Sequence, residues 1–229
     1  MRDERALCSR FLDFMVEAGA LLFGDFTLKS GRKSPYFINT GEYKTGEQLS
    51  RLGDFYAELI QNSLNETEGL KIDALFGPAY KGIPLAAVTA VKLSSRGLNP
   101  NVSFNRKEIK EHGEGNIILG YVPKDGDRVA IVEDVTTAGT SVREVVSLME
   151  KLGVRAKITA LYISIDRMER GTGVLSATEQ IKSDYGIGVY SVASAWDIID
   201  YLENSPISDA PANAARMREY LNEYGLRIK

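Results

Sequence analysis

The 229 residues carry 44% hydrophobic and 26% charged side chains, which supports a folded core rather than a disordered chain. A net charge of −3 argues against a basic surface built for nucleic acid. One cysteine (Cys8) and one histidine (His112) exclude an intrachain disulfide and a zinc site of four cysteines, or of two cysteines and two histidines. They also force any histidine-dependent triad through His112.

The charged start, Met1 to Arg5, leads into no apolar leader. The most apolar run, Ile83 to Val91, is far shorter than the roughly 20 residues that span a bilayer. A soluble, reducing, cytoplasmic setting without membrane contact is the expectation. Leu7, Phe11, Met15 and Ala18 recur at helical spacing from Glu4 to Ala18, with Gly19 as a stop and Cys8 on the apolar side as a structural thiol. Apolar runs at Leu21 to Leu28 and Tyr36 to Asn39 flank the turn-rich Ser30-Gly31-Arg32-Lys33 and predict a hairpin. Thr45 and Gln48 form a capping-box signature that opens a helix bearing Leu49, Leu52, Tyr56, Leu59 and Ile60.

From Ile72 onward strand and helix alternate. Strands are predicted at Ile72 to Phe76, Val102 to Phe104, Ile117 to Val122, Val129 to Val132, Ile158 to Ile165 and Gly188 to Val192. Helices are predicted up to about Ser95, at Thr140 to Leu152 and at Thr178 to Tyr185. A mostly helical tail starts at Trp196, a packing anchor, and is interrupted near Pro206 to Pro211. Such alternation implies βαβ units and a parallel sheet. Residues 1–229 are read as one α/β domain, with about the first 40 residues and the tail as accessories.

The most informative stretch runs Val129-Ala-Ile-Val-Glu-Asp-Val-Thr-Thr-Ala-Gly-Thr-Ser141. Four apolar residues make a buried strand, and Glu133 and Asp134 stand where its carboxyl end emerges. Ligands of open α/β sheets bind at such ends, and a loop entering a helix there offers free amides to a phosphate. Thr136, Thr137, Thr140 and Ser141 add hydroxyls, and Gly139 permits close approach of the backbone. Two carboxylates beside a phosphate suit sugar hydroxyls or a cation, so a phosphorylated ribose fits. Ordinary βα punctuation with Thr140 as N-cap fits the same residues. The stretch lacks the Gly-Lys-Ser/Thr of a P-loop and the G-x-G-x-x-G of a dinucleotide fold.

Val129 to Ser141 resembles the phosphoribosyl-pyrophosphate (PRPP) motif of the type I phosphoribosyltransferases. Phe104 to Gly115 resembles the mobile catalytic loop of the orotate phosphoribosyltransferase family, Leu28 to Asn39 its hairpin on the orotate side, and Gly77 to Pro84 its pyrophosphate loop. The resemblance implies the type I fold, a central parallel sheet flanked by helices under an N-terminal hood. It also implies Mg²⁺-dependent transfer of phosphoribose from PRPP to N1 of orotate, in pyrimidine biosynthesis. One departure is Glu133, where many members carry aspartate.

The resemblance also implies roles. PRPP falls to Tyr80, Lys81, Arg106, Lys107, Lys110, His112 and the run Glu133, Asp134, Val135, Thr136, Thr137, Ala138, Gly139, Thr140 and Ser141. Orotate falls to Lys29, Tyr36, Phe37, Thr137 and Arg167. The catalytic set is Lys29, Lys107, Lys110, His112 and Asp134. Mg²⁺ is expected to be held by PRPP, pyrophosphate and water, with no direct protein ligand. The loop is expected to act as a lid shared across a homodimer. Transfer to a purine or to uracil is the rival enzymatic reading, which the hairpin and lid residues oppose. A non-catalytic regulator of the same fold is the other, opposed by the lid cations and the negative net charge. Nothing after residue 205 resembles a decarboxylase.

Overall fold

The computed structural model describes residues 2–28, 31–107, 117–136, 139–171 and 173–226, with the side chains of residues 2–4 left aside. The expected alternation is present. Strands β1 (Leu21–Thr27) and β2 (Lys33–Ile38) form the hairpin after helix α1 (Arg2–Glu17). A 3-10 turn at Thr40–Glu42 leads to α2 (Gly46–Glu66), whose start is held by the expected reciprocal box: the Gln48 amide donates to Thr45 and the Thr45 amide to the Gln48 side chain. Then follow β3 (Ala74–Gly77), α3 (Gly82–Ser95), β4 (Asn101–Asn105), β5 (Ile118–Gly120), β6 (Arg128–Val132) and α4 (Thr140–Lys151). The chain continues through β7 (Lys157–Asp166), α5 (Ala177–Tyr185), β8 (Gly188–Ser194), α6 (Ala195–Glu203) and α7 (Ala210–Tyr224).

The main sheet has the order β5-β4-β3-β6-β7-β8. All its neighbours pair in parallel except the edge strand β5, which runs antiparallel to β4. Its faces divide by the two-residue period of a strand. Leu75, Ala130, Val132, Ala160 and Tyr162 face the core built with α1, α2, α3, α6 and α7. Phe76, Val129, Ile131, Leu161 and Ile163 face the core under α4 and α5.

The strand order places the site. After β3 the chain moves outward to β4 and β5, then returns to lay β6 on the other side of β3. The loops that follow β3 and β6 therefore diverge around one crevice at the carboxyl ends of the strands, the position where open α/β sheets bind ligands. The hairpin roofs this crevice from the α1–α2 side. Its base is closed by the Asn39 amide on the Ala20 carbonyl (2.7 Å), and the chain leaving it is anchored where Tyr43 stacks on Phe14 at 5.1 Å.

Several boundaries differ from expectation. The second hairpin strand begins at Lys33 rather than Tyr36, because Ser34, Pro35 and Tyr36 are all inside. Its polar Ser34 is accommodated by a hydroxyl bond to the Tyr36 carbonyl (2.8 Å). The expected strand from Ile117 to Val122 shrinks to three residues, matching the three partners that β4 offers.

Candidate active site

The acids after β6 are fixed through their main chain before their carboxylates do anything. The Glu133 amide donates to the Tyr162 carbonyl (2.9 Å), and the Tyr56 hydroxyl, from α2, donates to the Glu133 carbonyl (2.6 Å). The Asp134 carbonyl accepts both the Ser164 amide (2.8 Å) and the Ser164 hydroxyl (2.6 Å). Two neighbouring elements thus grip the strand end, a rigid support of the kind a binding group needs.

The Asp134 carboxylate is engaged on both oxygens. Oδ1 accepts the Val135 amide (2.7 Å), while Oδ2 accepts the Thr40 hydroxyl (2.7 Å) and Lys81 Nζ (2.9 Å). Lys81 follows β3, so this ion pair spans the crevice between the diverging loops. Lys81 remains mostly exposed, but Asp134 is only 14% exposed. Beneath lies a cavity of about 110 Å³, lined by Thr40, Tyr43, Leu52, Tyr56, Leu85 and Ser164 among others.

Glu133 is different. Burial, and then the neighbouring Asp134 carboxylate, push its pKa up to about 7, against hydrogen bonds from Ser141 and the Asp134 amide that pull it down. Near neutral pH it is poised between acid and carboxylate, and it is held against the first turn of α4. The cap of that helix is Gly139 rather than Thr140, at φ 65°, and a Cβ there would lie 2.8 Å from Ile181. The loop entering α4 needs glycine for both conformation and space. Thr136 is buried and accepts the Gly139 amide (3.2 Å), while Thr140 is exposed and Ser141 half-buried at the helix start. Thr137 and Ala138 lie outside the described residues.

The loop after β3 is shaped by close packing. A Cβ on Gly82 would stand 2.6 Å from Pro78 and 2.8 Å from the Val132 carbonyl, so only glycine lets α3 start against β6. The Ala79–Tyr80 peptide is cis, and the Ala79 amide donates to Asn105 Oδ1 (2.8 Å). Tyr80 stands 65% exposed, with Lys107 Nζ 5.3 Å from its ring centroid. That contact brings the root of the charged loop over the crevice, and the Arg106 amide is paired with the Ile117 carbonyl (2.9 Å). Lys110 and His112 lie outside the described residues, as does Lys29 in the hairpin turn.

On the hood side Tyr36 and Phe37 are placed differently. Tyr36 is fully buried, so its ring offers no open face to a base. The Arg167 guanidinium lies 4.3 Å from its centroid, Tyr220 meets it edge-on at 6.2 Å, and its hydroxyl donates to Glu169 (3.3 Å). Tyr36 is a floor for Arg167. Phe37, its neighbour on the opposite face of the strand, is 37% exposed and stacks with Phe26 at 5.5 Å. Arg167 itself is only 8% exposed, and its Nε and Nη2 both bond Glu169 Oε1 (2.9 and 2.6 Å). The tail closes this side. Tyr224 lies under Arg32 (5.1 Å), the Arg170 amide donates to the Tyr224 carbonyl (2.9 Å), and the Leu226 amide donates to the Met168 carbonyl (2.8 Å).

The fold therefore gathers Lys81, Glu133, Asp134, Thr136, Gly139, Thr140 and Ser141 around one crevice, with Tyr80 and Lys107 above it. Sequence reasoning misses Thr40, Ser164, Glu169 and Asn105, and takes Tyr56 as a plain apolar position. Apart from the bond of Glu169 to Arg167 two residues before it, their partners lie between 26 and 133 residues away, and no local pattern marks them. Cys8 is remote from the site, and burial, then Asp197 and Asp200, push its thiol up to about 12, consistent with a structural role. Among the described residues no group of three or more His, Cys, Asp or Glu is arranged to hold a metal, and no described helix is long and apolar enough to cross a membrane.

An open α/β sheet with acids, a helix start and a lysine converging at its reversal point is the arrangement of a phosphoribosyl-binding enzyme. The phosphoribosyl transferase domain family matches residues 43–179, and the chain belongs to it. Within it the relatives are specific. The chain is 44% identical over 228 residues to an orotate phosphoribosyltransferase of Clostridium beijerinckii, covering 97% of this chain and 100% of that one. It is 46% identical over 219 residues to an orotate phosphoribosyltransferase of Nitrosococcus oceani, with 95% of each covered. The crystal structure of the Francisella tularensis orotate phosphoribosyltransferase superposes with a TM-score of 0.81 at 36% identity, covering 95% of this chain and 100% of that one. The family is that of the orotate phosphoribosyltransferases.

Proposed function

We propose that this chain transfers the 5-phosphoribosyl group of PRPP to N1 of orotate, releasing pyrophosphate and forming orotidine 5′-monophosphate in pyrimidine biosynthesis. The observation that carries the reading is the Lys81–Asp134 contact across the sheet's reversal point, directly beside the start of α4. It sets a cation, a carboxylate pair suited to a diol and the start of a helix within one crevice. The amides and hydroxyls from Thr136 to Ser141 suit the 5-phosphate, Glu133 and Asp134 the ribose diol, and Tyr80, Lys81, Arg106 and Lys107 the pyrophosphate. Lys110 and His112 complete the lid, and Lys29 belongs near the base. Phe37 and Arg167 face the orotate side, with Tyr36 behind Arg167 rather than against the ring.

The chemistry fits these parts. Cleavage at C1 of the ribose passes through a state with oxocarbenium character, so positioning and neutralisation of the leaving diphosphate carry the rate. Mg²⁺ suits this reaction without a protein cage, because it keeps much of its water and binds through the substrate's phosphates. When bound, it supplies positive charge to the departing diphosphate. The lid's part is to exclude water from PRPP.

Residues 1–229 are read as one catalytic unit of a cytoplasmic homodimer. The apolar stripe Ile83, Ala87 and Val91 along α3 supports the dimer, since Val91 is 66% exposed one helix-length from the exposed Tyr80. The test is direct. Protein mixed with PRPP, Mg²⁺ and orotate should consume orotate absorbance and release pyrophosphate in equal amounts. Turnover of uracil or a purine in its place, with none of orotate, would overturn the assignment.

A further inference from the structure

We propose that Thr40 is a positioning residue for the phosphoribosyl donor: its hydroxyl keeps Asp134 hydrogen-bonded when Lys81 leaves it for the substrate's phosphates. The inference rests on the function proposed for the crevice and adds to it a residue of the hood. Thr40 opens the 3-10 turn after β2, yet its hydroxyl lies between two groups of the crevice, 2.7 Å from Asp134 Oδ2 and 2.9 Å from Lys81 Nζ. The direction of these bonds is determined by chemistry. An ammonium only donates, and an ionised carboxylate only accepts, so the hydroxyl accepts from Lys81 and gives its one proton to Asp134.

Lys81 touches Asp134 directly as well, at 2.9 Å. A diphosphate competes for that ammonium and a ribose diol for that carboxylate, so binding of the donor must part the pair. Asp134 is only 14% exposed, and water cannot fully replace a lost partner there. Oδ1 keeps the Val135 amide, but a mostly buried carboxylate oxygen left without a donor is costly. Thr40 removes that difficulty, since its proton stays on Oδ2 while Lys81 swings out. Thr40 thereby ties the turn after the hairpin to the acids after β6 through a side-chain bond. It joins the roof over the base to the floor under the ribose.

Removing the hydroxyl while keeping the shape isolates this role. Thr40→Val should raise KM for PRPP about tenfold, the usual order for a hydrogen bond to a charged group, and leave KM for orotate within about twofold. Thr40→Ser, which restores the hydroxyl, should return KM for PRPP to within about threefold of the parent. Melting temperatures should stay within a few degrees across all three proteins. An unchanged KM for PRPP in Thr40→Val overturns the inference. So does an equal rise in both KM values, or a failure of Thr40→Ser to rescue. Calorimetric titration of PRPP into parent and Thr40→Val protein reads the same effect without turnover. A parent that binds PRPP but does not consume orotate would defeat the orotate assignment alone. The Thr40 inference would then stand on a roughly tenfold weaker PRPP affinity in Thr40→Val, and fall on equal affinities.

Discussion

The crevice at the end of β6 and the hood side around Arg167 are built on opposite plans. In the crevice, one short stretch of chain supplies most of the groups. Neighbouring strands hold it through main-chain bonds; its acids are mostly buried, while Lys81, from the loop after β3, stays 64% exposed. On the hood side, residues near 34–36, 167–170 and 220–226 converge from three parts of the chain, and the Arg167 guanidinium is buried against Glu169 and Tyr36. The first plan uses the sheet's topology to bring charges together at the carboxyl ends of the strands, where the proposed donor binds. The second uses burial to freeze the orientation of one planar fork. A site on the first plan should fail in chemistry when a residue is lost, and a site on the second should fail in stability as well.

The largest effect expected on the first plan is at the lid. Lys107→Ala should lower turnover by about a hundredfold or more with little change in melting temperature, as loss of a group that neutralises a leaving anion does. Lys107 stands over its own chain's Tyr80, so the idea of a shared site is broken or sharpened by mixing inactive Lys110→Ala with inactive Asp134→Ala protein. Random reassociation makes half the dimers mixed, each with one complete site if Lys110 reaches the partner's crevice, so about a quarter of parental activity should return. Activity that stays at the level of the separate variants would place Lys110 over its own subunit's crevice.

The hood side should respond in both activity and stability. Arg167→Met leaves the buried Glu169 carboxylate with only the Tyr36 hydroxyl and a 3.8 Å contact to Arg32, and about 3 kcal/mol of stability should be lost, read from urea midpoints. Adding Glu169→Gln should recover most of that loss while KM for orotate stays high. If orotate affinity returned together with stability, Arg167 would be a packing residue and the contrast between the two regions would collapse.

The smallest effect concerns Glu133, whose pKa is raised to about 7 by burial and Asp134. The folded chain then keeps a proton that the unfolded chain has already released. Its contribution to stability is complete below the ordinary carboxylate range and disappears as pH rises through about 7. Thermal unfolding between pH 5 and 8 should show on the order of 1 kcal/mol of this loss in the parent and not in Glu133→Gln. Equal slopes in both proteins would mean that Glu133 titrates normally.

What could be read in advance follows the same division. Four apolar residues ending in two acids marked β6, and the structure extends that strand by one residue, to Arg128–Val132. The capping box at Thr45 and the hairpin turn are equally local signals. Tyr36 is the instructive miss. An aromatic beside Phe37 in a strand near the site looks available, but a strand alternates faces, and only the tail decides which face is covered. Tyr220 and Arg167 occupy the face that Tyr36 presents. Thr40 was invisible for a similar reason, since a threonine before glycine after a hairpin is ordinary turn chemistry.

By itself, the sequence determined the α/β class and the parallel sheet and placed two acids, a run of hydroxyls and a glycine together in the loop after β6, because these depend on short-range periodicity and on contiguous residue types. Tertiary structure alone decided which charges meet. Lys81 reaches Asp134 because β6 returns to the side of β3, and Thr40 stands between them because the hairpin folds back over that junction. Contacts across 41 to 94 residues leave no periodic trace in a chain, so the partners of a polar group are set by topology and burial rather than by its neighbours in sequence.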